Sequence, residues 1–280
     1  MPIIKRRVRK KRSGQPTMAE LADRYDLYLR SVQSPEHEVD FFRKTYKRTY
    51  GRAPKILRED FCGTAAVCCE WVRGRPERRA IGVDVDPRPL AWGREHNLAR
   101  LPAVARERVT LVRDDARRVR GAKADIIAAQ NFSFQCFTTR PELKRYFKAA
   151  HGNLARRGLL VLDLMGGAEV LEEDRQEVKS FRGYKYVWHQ KHFDPITHHC
   201  EYFIHFRFPD GSALEKAFHY RWRLWSIPEV RELLLEAGFR RADVYWESTN
   251  RRTGRGNDVY RRREHAASDA AWVCYIVAVK

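Results

Sequence analysis

The sequence predicts an α/β fold: a doubly wound, mostly parallel seven-stranded sheet with an antiparallel β insertion after strand five. Three observations predict it. After Pro54, short apolar runs alternate with segments of helical pattern. The runs "RAIGVDV", "ADIIAAQ" and "GLLVLDL" are nearly continuous in apolar residues. Near residue 183 the rhythm breaks into aromatic, alternating segments, and only later returns to one helix and two strands. Strands covered by helices on both faces have no solvated side, so they read as unbroken apolar runs. Alternating β and α units imply parallel strands joined by right-handed crossovers.

Residues 1–17 read as a disordered basic tail, with "KRRVRKKR" at 5–12 followed by Ser13-Gly14-Gln15-Pro16. Residues 18–54 read as a helical lid. Leu21, Tyr25, Tyr28 and Leu29 recur at helical spacing, then Val39, Phe42 and Tyr46. Ser34 as N-cap and Pro35 at the first helical position divide this lid into two pieces. Strands are expected at 55–59, 79–84, 109–113, 124–130 and 158–164, and helices at 64–73, 87–99 and 141–155. The core thus takes in 55–182 and 224–280, with 183–223 inserted as a lid over the substrate. "YKYVWHQKHF", "HCEYFIHFRF" and "ALEKAFHYRWRLW" supply three strands of that insertion, turning at Asp194-Pro195 and at Pro209-Asp210-Gly211-Ser212. "SIPEVRELLLEAGF" is a helix with Ser226 as N-cap and Gly238 as C-cap. "RADVYWES" and "AWVCYIVAV" are the last strands, flanking a polar loop at 249–268.

Bulk properties narrow the function classes. With 280 residues, 43% of them hydrophobic, the chain can bury a sizeable core. No apolar run approaches the roughly 18 residues of a membrane helix. No apolar segment follows the charged N-terminus, as a signal peptide would require. Six cysteines without a C-x-x-C pair argue against zinc and a secreted disulfide framework, and fit a reducing cytoplasm. His198-His199 lacks companion ligands, so no metal is expected. The net charge of +19 includes a run, Lys5, Arg6, Arg7, Arg9, Lys10, Lys11 and Arg12, that could hold RNA or another polyanion. The same run also reads as a solvated tail on an arginine-rich chain.

Ligands bind a parallel sheet at the C-terminal ends of its strands. Strand one ends at Glu59-Asp60 and enters a turn, Phe61-Cys62-Gly63-Thr64, with one glycine where the dinucleotide fingerprint has three. Asp84 ends strand two, 21 residues after Gly63, the distance of a ribose-binding carboxylate. Asp114-Asp115-Ala116 ends strand three, and Asn131-Phe132 follows strand four. Carboxylates here would repel a pyrophosphate, and two missing glycines limit backbone approach to phosphate. The pattern argues against NAD and for a cationic nucleoside without phosphates, S-adenosylmethionine.

"LREDFCGTA", "AIGVDVDP" and "LAWGREHN" together resemble a bacterial-type branch of the class I S-adenosylmethionine-dependent methyltransferases, with their Rossmann-like core. The resemblance extends through "ITHHCEYFIHFRFPDGS" and "WRLWSIPEVRELLLEAGF". Glu59, Phe61, Gly63 and Ala65 stand where that family's first motif has an acid and three glycines. The resemblance implies that Glu59 or Asp60 orients the turn or the methionine amino group, with Phe61, Cys62, Gly63 and Thr64 against the ligand. It implies that Asp84 and Val85 meet the ribose, and that Asp114, Asp115 and Ala116 meet the adenine. Asn131 and Phe132 would line the path to the methyl group.

The expected activity is methyl transfer to a nitrogen or oxygen of a small molecule by in-line displacement. The alternative is an RNA methyltransferase or nucleic-acid-binding protein using the basic tail. Acid–base candidates are Tyr28, Asn131, Tyr186, His189 and Tyr220, with Tyr184, His192, His205 and His219 also in the insertion. Strand alternation sends some of these to solvent.

Overall fold

The computed structural model describes residues 14–249 and 256–280; the basic run at 5–12 lies outside the described residues. Two helices, α1 (Met18–Leu21) and α2 (Arg24–Val32), lead into α3 (Pro35–Tyr50). Thr17 and Glu20 close a capping box on α1, and the Asp23 carboxylate caps α2. Ser34 stands at the N-cap of α3, but its side chain makes no capping bond there. Gly51, at φ +71°, ends α3 in the left-handed region that glycine adopts freely.

The alternating part follows as β1 (Ile56–Asp60), α4 (Ala66–Arg73), β2 (Arg79–Asp84), α5 (Pro87–His96), α6 (Ala103–Arg106), β3 (Val109–Arg113), β4 (Ala124–Ala129), α7 (Arg140–Asn153) and β5 (Leu154–Gly166). Four antiparallel strands come next: β6 (Arg175–Phe181), β7 (Tyr184–Phe193), β8 (His199–Arg207) and β9 (Ala213–Arg223). Helix α8 (Ile227–Glu236) and strands β10 (Arg241–Thr249), β11 (Gly256–Arg263) and β12 (Trp272–Val279) complete the chain.

The main sheet runs β11-β10-β12-β5-β4-β1-β2-β3, parallel from β3 through β5 and antiparallel where β12 joins β5. Chain order reverses between β1 and β4, which opens a crevice at their C-terminal ends. Every residue of β4 is buried, so Ile126 and Ala128 meet the core under α3 and α4, while Ile127 and Ala129 meet the core under α7 and α8. Phe42, Tyr46, Trp71, Tyr146 and Phe147 fill the two layers and are fully buried. Each such side chain favours folding by about 1.5–3 kcal/mol.

Two strands depart from expectation. The sheet has eight strands rather than seven, because β11 forms inside the segment 249–268 expected to be loop. The insertion has four strands rather than three, because β6 precedes residue 183. Both are exposed edge strands, "GNDVYRRR" and "RQEVKSF", whose polar residues conceal a strand from any reading of apolar periodicity.

The insertion is tied to the N-terminal helices. The Met18 N–H donates to Asp210 Oδ2 at 2.9 Å and the Ala19 N–H to Ser212 Oγ at 3.1 Å. Ser31 Oγ and the Tyr184 hydroxyl are hydrogen-bonded at 2.9 Å. Leu27 packs with Tyr184, Tyr186, Ile204 and Phe206 in a core of their own. This roof stands over the crevice.

Candidate active site

The turn between β1 and α4 is built from left-handed residues. Phe61, Gly63 and Ala65 have φ of +60°, +51° and +58°. Phenylalanine and alanine adopt this region at a cost, so the neighbourhood has to hold them. The Cys62 N–H donates to the Val83 carbonyl at 3.0 Å and the Ala65 N–H to the Cys62 carbonyl at 2.8 Å. The Phe61 ring packs against Phe137 and Tyr146, with centroids 5.8 and 5.7 Å away. On the far side, α5 supports the turn: Asn97 Nδ2–H donates to the Thr64 carbonyl at 2.9 Å. A Cβ on Gly93 would stand 2.3 Å from that carbonyl oxygen. Glycine is therefore required one helix away from the motif it serves.

Asp84 faces this turn with both oxygens engaged. Oδ2 accepts from the Gly63 N–H at 2.8 Å, and Oδ1 from the Asp86 N–H at 2.9 Å. Burial raises its pKa, against the lowering effect of those two N–H groups. Asp86 itself caps α5 through the Arg88 N–H at 2.9 Å. Asp115 is gripped by Arg117 through both carboxylate oxygens, which holds its pKa below the usual range. Arg117 in turn lies over the Phe137 ring at 4.8 Å.

A cavity of about 760 Å³ lies along these strand ends. Phe61, Cys62, Gly63, Thr64, Asp84, Val85, Asp114, Asp115, Ala116 and Asn131 all line it. Thr64 Oγ1 is buried there without a hydrogen-bond partner. Glu59 and Asp60 do not line it. Strand alternation sends Glu59 under α4, where Oε2 accepts from the Cys68 N–H at 3.2 Å and the Cys68 thiol at 3.1 Å. Burial pushes the Glu59 pKa up to about 8. Asp60 points to the opposite face and is buried between Arg58 Nε, at 2.6 Å, and the Tyr146 hydroxyl, at 3.1 Å.

A second cavity, of about 470 Å³, lies between the sheet end and the insertion. Tyr28, Asn131, Tyr220 and Trp222 line both cavities and so form their common wall. Phe132 lines the second. Asn131 and Phe132 are again left-handed, at φ +55° and +57°, and their N–H groups donate to Asp163 Oδ2 and Oδ1, each at 2.8 Å. Tyr186, Trp188 and Gln190 reach the second cavity from β7. His189 falls between them in the alternation and turns to the opposite face, 3.3 Å from His205. It lines neither cavity. His205 pairs with Glu215, His192 with Glu173, and neither lines a cavity. His219 borders the first cavity while holding Glu201 at 2.8 Å. Among the described residues, no group of three or more histidine, cysteine or acidic side chains is arranged to hold a metal, and no helix is long and apolar enough to cross a membrane.

Four supporting residues escape a reading of motifs. Gly93 and Asn97 carry the turn from α5, and Asp163 carries the loop after β4. Glu38 lines the second cavity from α3, 7% exposed, with Oε2 lacking any hydrogen-bond partner. Faint signals exist: Asp163 is the lone charge in "GLLVLDL", and Glu38 shares a helix face with Phe41, Phe42 and Thr45, all buried.

No protein-family model matches the chain, and no curated protein matches its sequence. Solved structures do match. An S-adenosylmethionine-dependent methyltransferase from Clostridium acetobutylicum superposes with a TM-score of 0.63 at 14% identity, covering 90% of this chain and 95% of its own. DesVI of Streptomyces venezuelae gives 0.65 at 19% identity, covering 94% and 99%. An amino pentose methyltransferase from Micromonospora echinaspora, solved with S-adenosylmethionine bound, gives 0.64 at 17% identity, covering 92% and 97%. The two-sheet architecture of this chain is thus the Rossmann-like fold of S-adenosylmethionine-dependent methyltransferases.

Proposed function

We propose that the chain is an S-adenosylmethionine-dependent methyltransferase acting on a small molecule. The observation that carries this reading is the pair of cavities at the strand ends, meeting at Tyr28, Asn131, Tyr220 and Trp222. One is suited to a nucleoside and the other to an acceptor, and a methyl group has only to cross the common wall.

The residues of the larger cavity fit the cofactor. The second lone pairs of the Asp84 carboxylate can accept ribose hydroxyls, and the orphaned Thr64 hydroxyl has hydrogen-bonding capacity to give. At Gly63 nothing lies within 4 Å of where a Cβ would stand, so the backbone is open to a ligand. Asp115, already paired with Arg117, and Ala116 would border the adenine. Glu59 would act from beneath the turn, through α4, rather than on the ligand. Bound there, the cofactor would supply an electrophilic sulfonium methyl group for in-line displacement by an acceptor's lone pair. The chain's own contribution would be alignment across the common wall and exclusion of water by the aromatic roof.

The acceptors named for structural neighbours, an amino pentose, a sugar and a glycopeptide, support a small-molecule reading. The RNA alternative rests on residues 5–12, outside the described residues, and gains no support from the neighbours. Isothermal titration with S-adenosylhomocysteine tests the proposal. Stoichiometric binding that weakens at least tenfold in Asp84→Ala is expected; a folded protein that binds none would overturn it.

A further inference from the structure

On that cofactor reading, we propose that the second cavity takes an amine-bearing small molecule and that Glu38 is the group that receives its ammonium and accepts its proton. Glu38 reaches the cavity from the first turn of α3 and is more than nine-tenths buried. Its Oε2 is a buried acceptor with no partner, an arrangement that destabilises a folded protein unless a ligand completes it. Two neighbouring polar atoms at the same bend are orphaned too: His37 Nε2 in the same cavity, and Gln33 Oε1, whose residue lines the larger one. Unfilled hydrogen bonds on this one short stretch of chain, which borders both cavities, mark a place for a polar ligand group.

The charge around it fixes the sign of that group. Asp163 faces the same space from β5, and Glu59 bears on Glu38 from β1. Neither Glu38 nor Asp163 forms an ion pair among the described residues, although the chain carries a formal charge of +19. The cations that line the cavity are already committed, Arg175 to Glu169 and Lys179 to Glu177. An anion would find no uncommitted cation in this lining; a cation would find two carboxyls without a countercharge and a wall of aromatic faces.

Chemistry then singles out Glu38. Burial holds the hydroxyls of Tyr28, Tyr186 and Tyr220 well above the ordinary phenol range, so none is a ready base. Asp163 spends its oxygens on Asn131 and Phe132. Glu38, raised to about 8 by burial and then by Glu59, Asp163 and Glu36, against the Ser34 backbone, is matched to proton exchange near neutrality. Tyr28 from α2 and Tyr275 from β12 face it as neutral groups. In the step proposed, one N–H bond of the bound ammonium breaks and one O–H bond forms on the Glu38 carboxylate. A neutral amine with its lone pair free is left beside a carboxylic acid.

The test uses the full chain saturated with S-adenosylhomocysteine, titrated with benzylamine, tyramine, tryptamine and glucosamine, and with the neutral hydroxyl counterpart of each. At least one amine is expected to bind tenfold or more tightly than its counterpart. At pH 7, calorimetry in two buffers of different ionisation enthalpy is expected to show release of nearly one proton per amine bound, as the empty, protonated Glu38 becomes the ammonium's partner. Glu38→Gln is expected to abolish the preference and the proton release while keeping the affinity for S-adenosylhomocysteine and a cooperative thermal transition. No preference for any amine, no proton release in the wild-type chain, or a preference that survives in Glu38→Gln would each overturn the proposal. Failure to bind S-adenosylhomocysteine at all would instead strike the cofactor reading, so the two failures are told apart.

Discussion

Asp163 on β5 holds the loop after β4 by its backbone: its two oxygens accept the Asn131 and Phe132 N–H groups at 2.8 Å each. Those two residues are both left-handed, a pairing that side chains rarely adopt without such a clamp. The clamp also sets the wall between the two cavities, because Asn131 lines both. Asp163→Ala would strand two N–H groups, at about 1–3 kcal/mol apiece. Urea denaturation should show that loss. S-adenosylhomocysteine affinity, measured where the variant is still folded, should fall as well; a variant as stable as the parent would remove the clamp from the account.

Asp84→Asn and Asp84→Ala separate charge from geometry. The asparagine keeps one acceptor oxygen and loses the anion, while the alanine frees both the Gly63 and the Asp86 N–H groups. Hydrogen bonds to charged groups contribute about 1.5–3 kcal/mol, so the alanine variant should bind S-adenosylhomocysteine roughly 10- to 100-fold more weakly, and the asparagine variant should lie between it and the parent. Calorimetric titration reads both. Equal affinity in all three chains would detach Asp84 from the ligand.

Two glycines should fail in different ways. Gly93→Ala places a methyl group 2.3 Å from the Thr64 carbonyl oxygen and must push α5 off the turn, at about 1–3 kcal/mol for an overpacked contact. Gly63→Ala meets nothing within 4 Å and suffers only from its φ of +51°, about 1–2 kcal/mol. The Gly63 methyl group would project where the ligand approaches, so this variant should lose more affinity than its stability loss suggests. Thermal melts with and without S-adenosylhomocysteine distinguish them.

The buried acids predict a pH dependence of stability. Glu38 and Glu59 sit near 8 and Asp163 near 7, each lifted chiefly by burial. A carboxyl with a higher pKa folded than unfolded keeps its proton on folding. Its contribution is therefore complete below the unfolded value near 4 and is lost as pH rises toward 8, at about 1.4 kcal/mol per pH unit for each group that titrates. The ligand-free chain should melt at a lower temperature at pH 8 than at pH 5.5. Glu59→Gln, which keeps an acceptor for the Cys68 N–H, should flatten that decline; an unchanged slope would mean that Glu59 does not carry it.

What could be read directly from the chain was what local composition controls. Buried parallel strands such as Ala124–Ala129 are apolar but for Asp125, so their positions and the acids that end or follow them, Asp84 and Asp115, stood out in order. The edge strands Arg175–Phe181 and Gly256–Arg263 were illegible, because an edge exposed to water has no apolar pattern to display. Spacing also could not say which way Glu59, Asp60 and His189 point, and the fold turned all three away from the cavities. Asp163 meets Asn131 only because β4 and β5 pair with Ala129 opposite Leu162. Gly93 and Asn97 meet Thr64 only because α5 packs back on the turn. By itself the sequence determined the buried strands of the sheet and the acids that end or follow them. The tertiary structure decided which carboxyls face a ligand and which face the protein, because register and helix packing bring together residues too far apart in the chain for any local pattern to link.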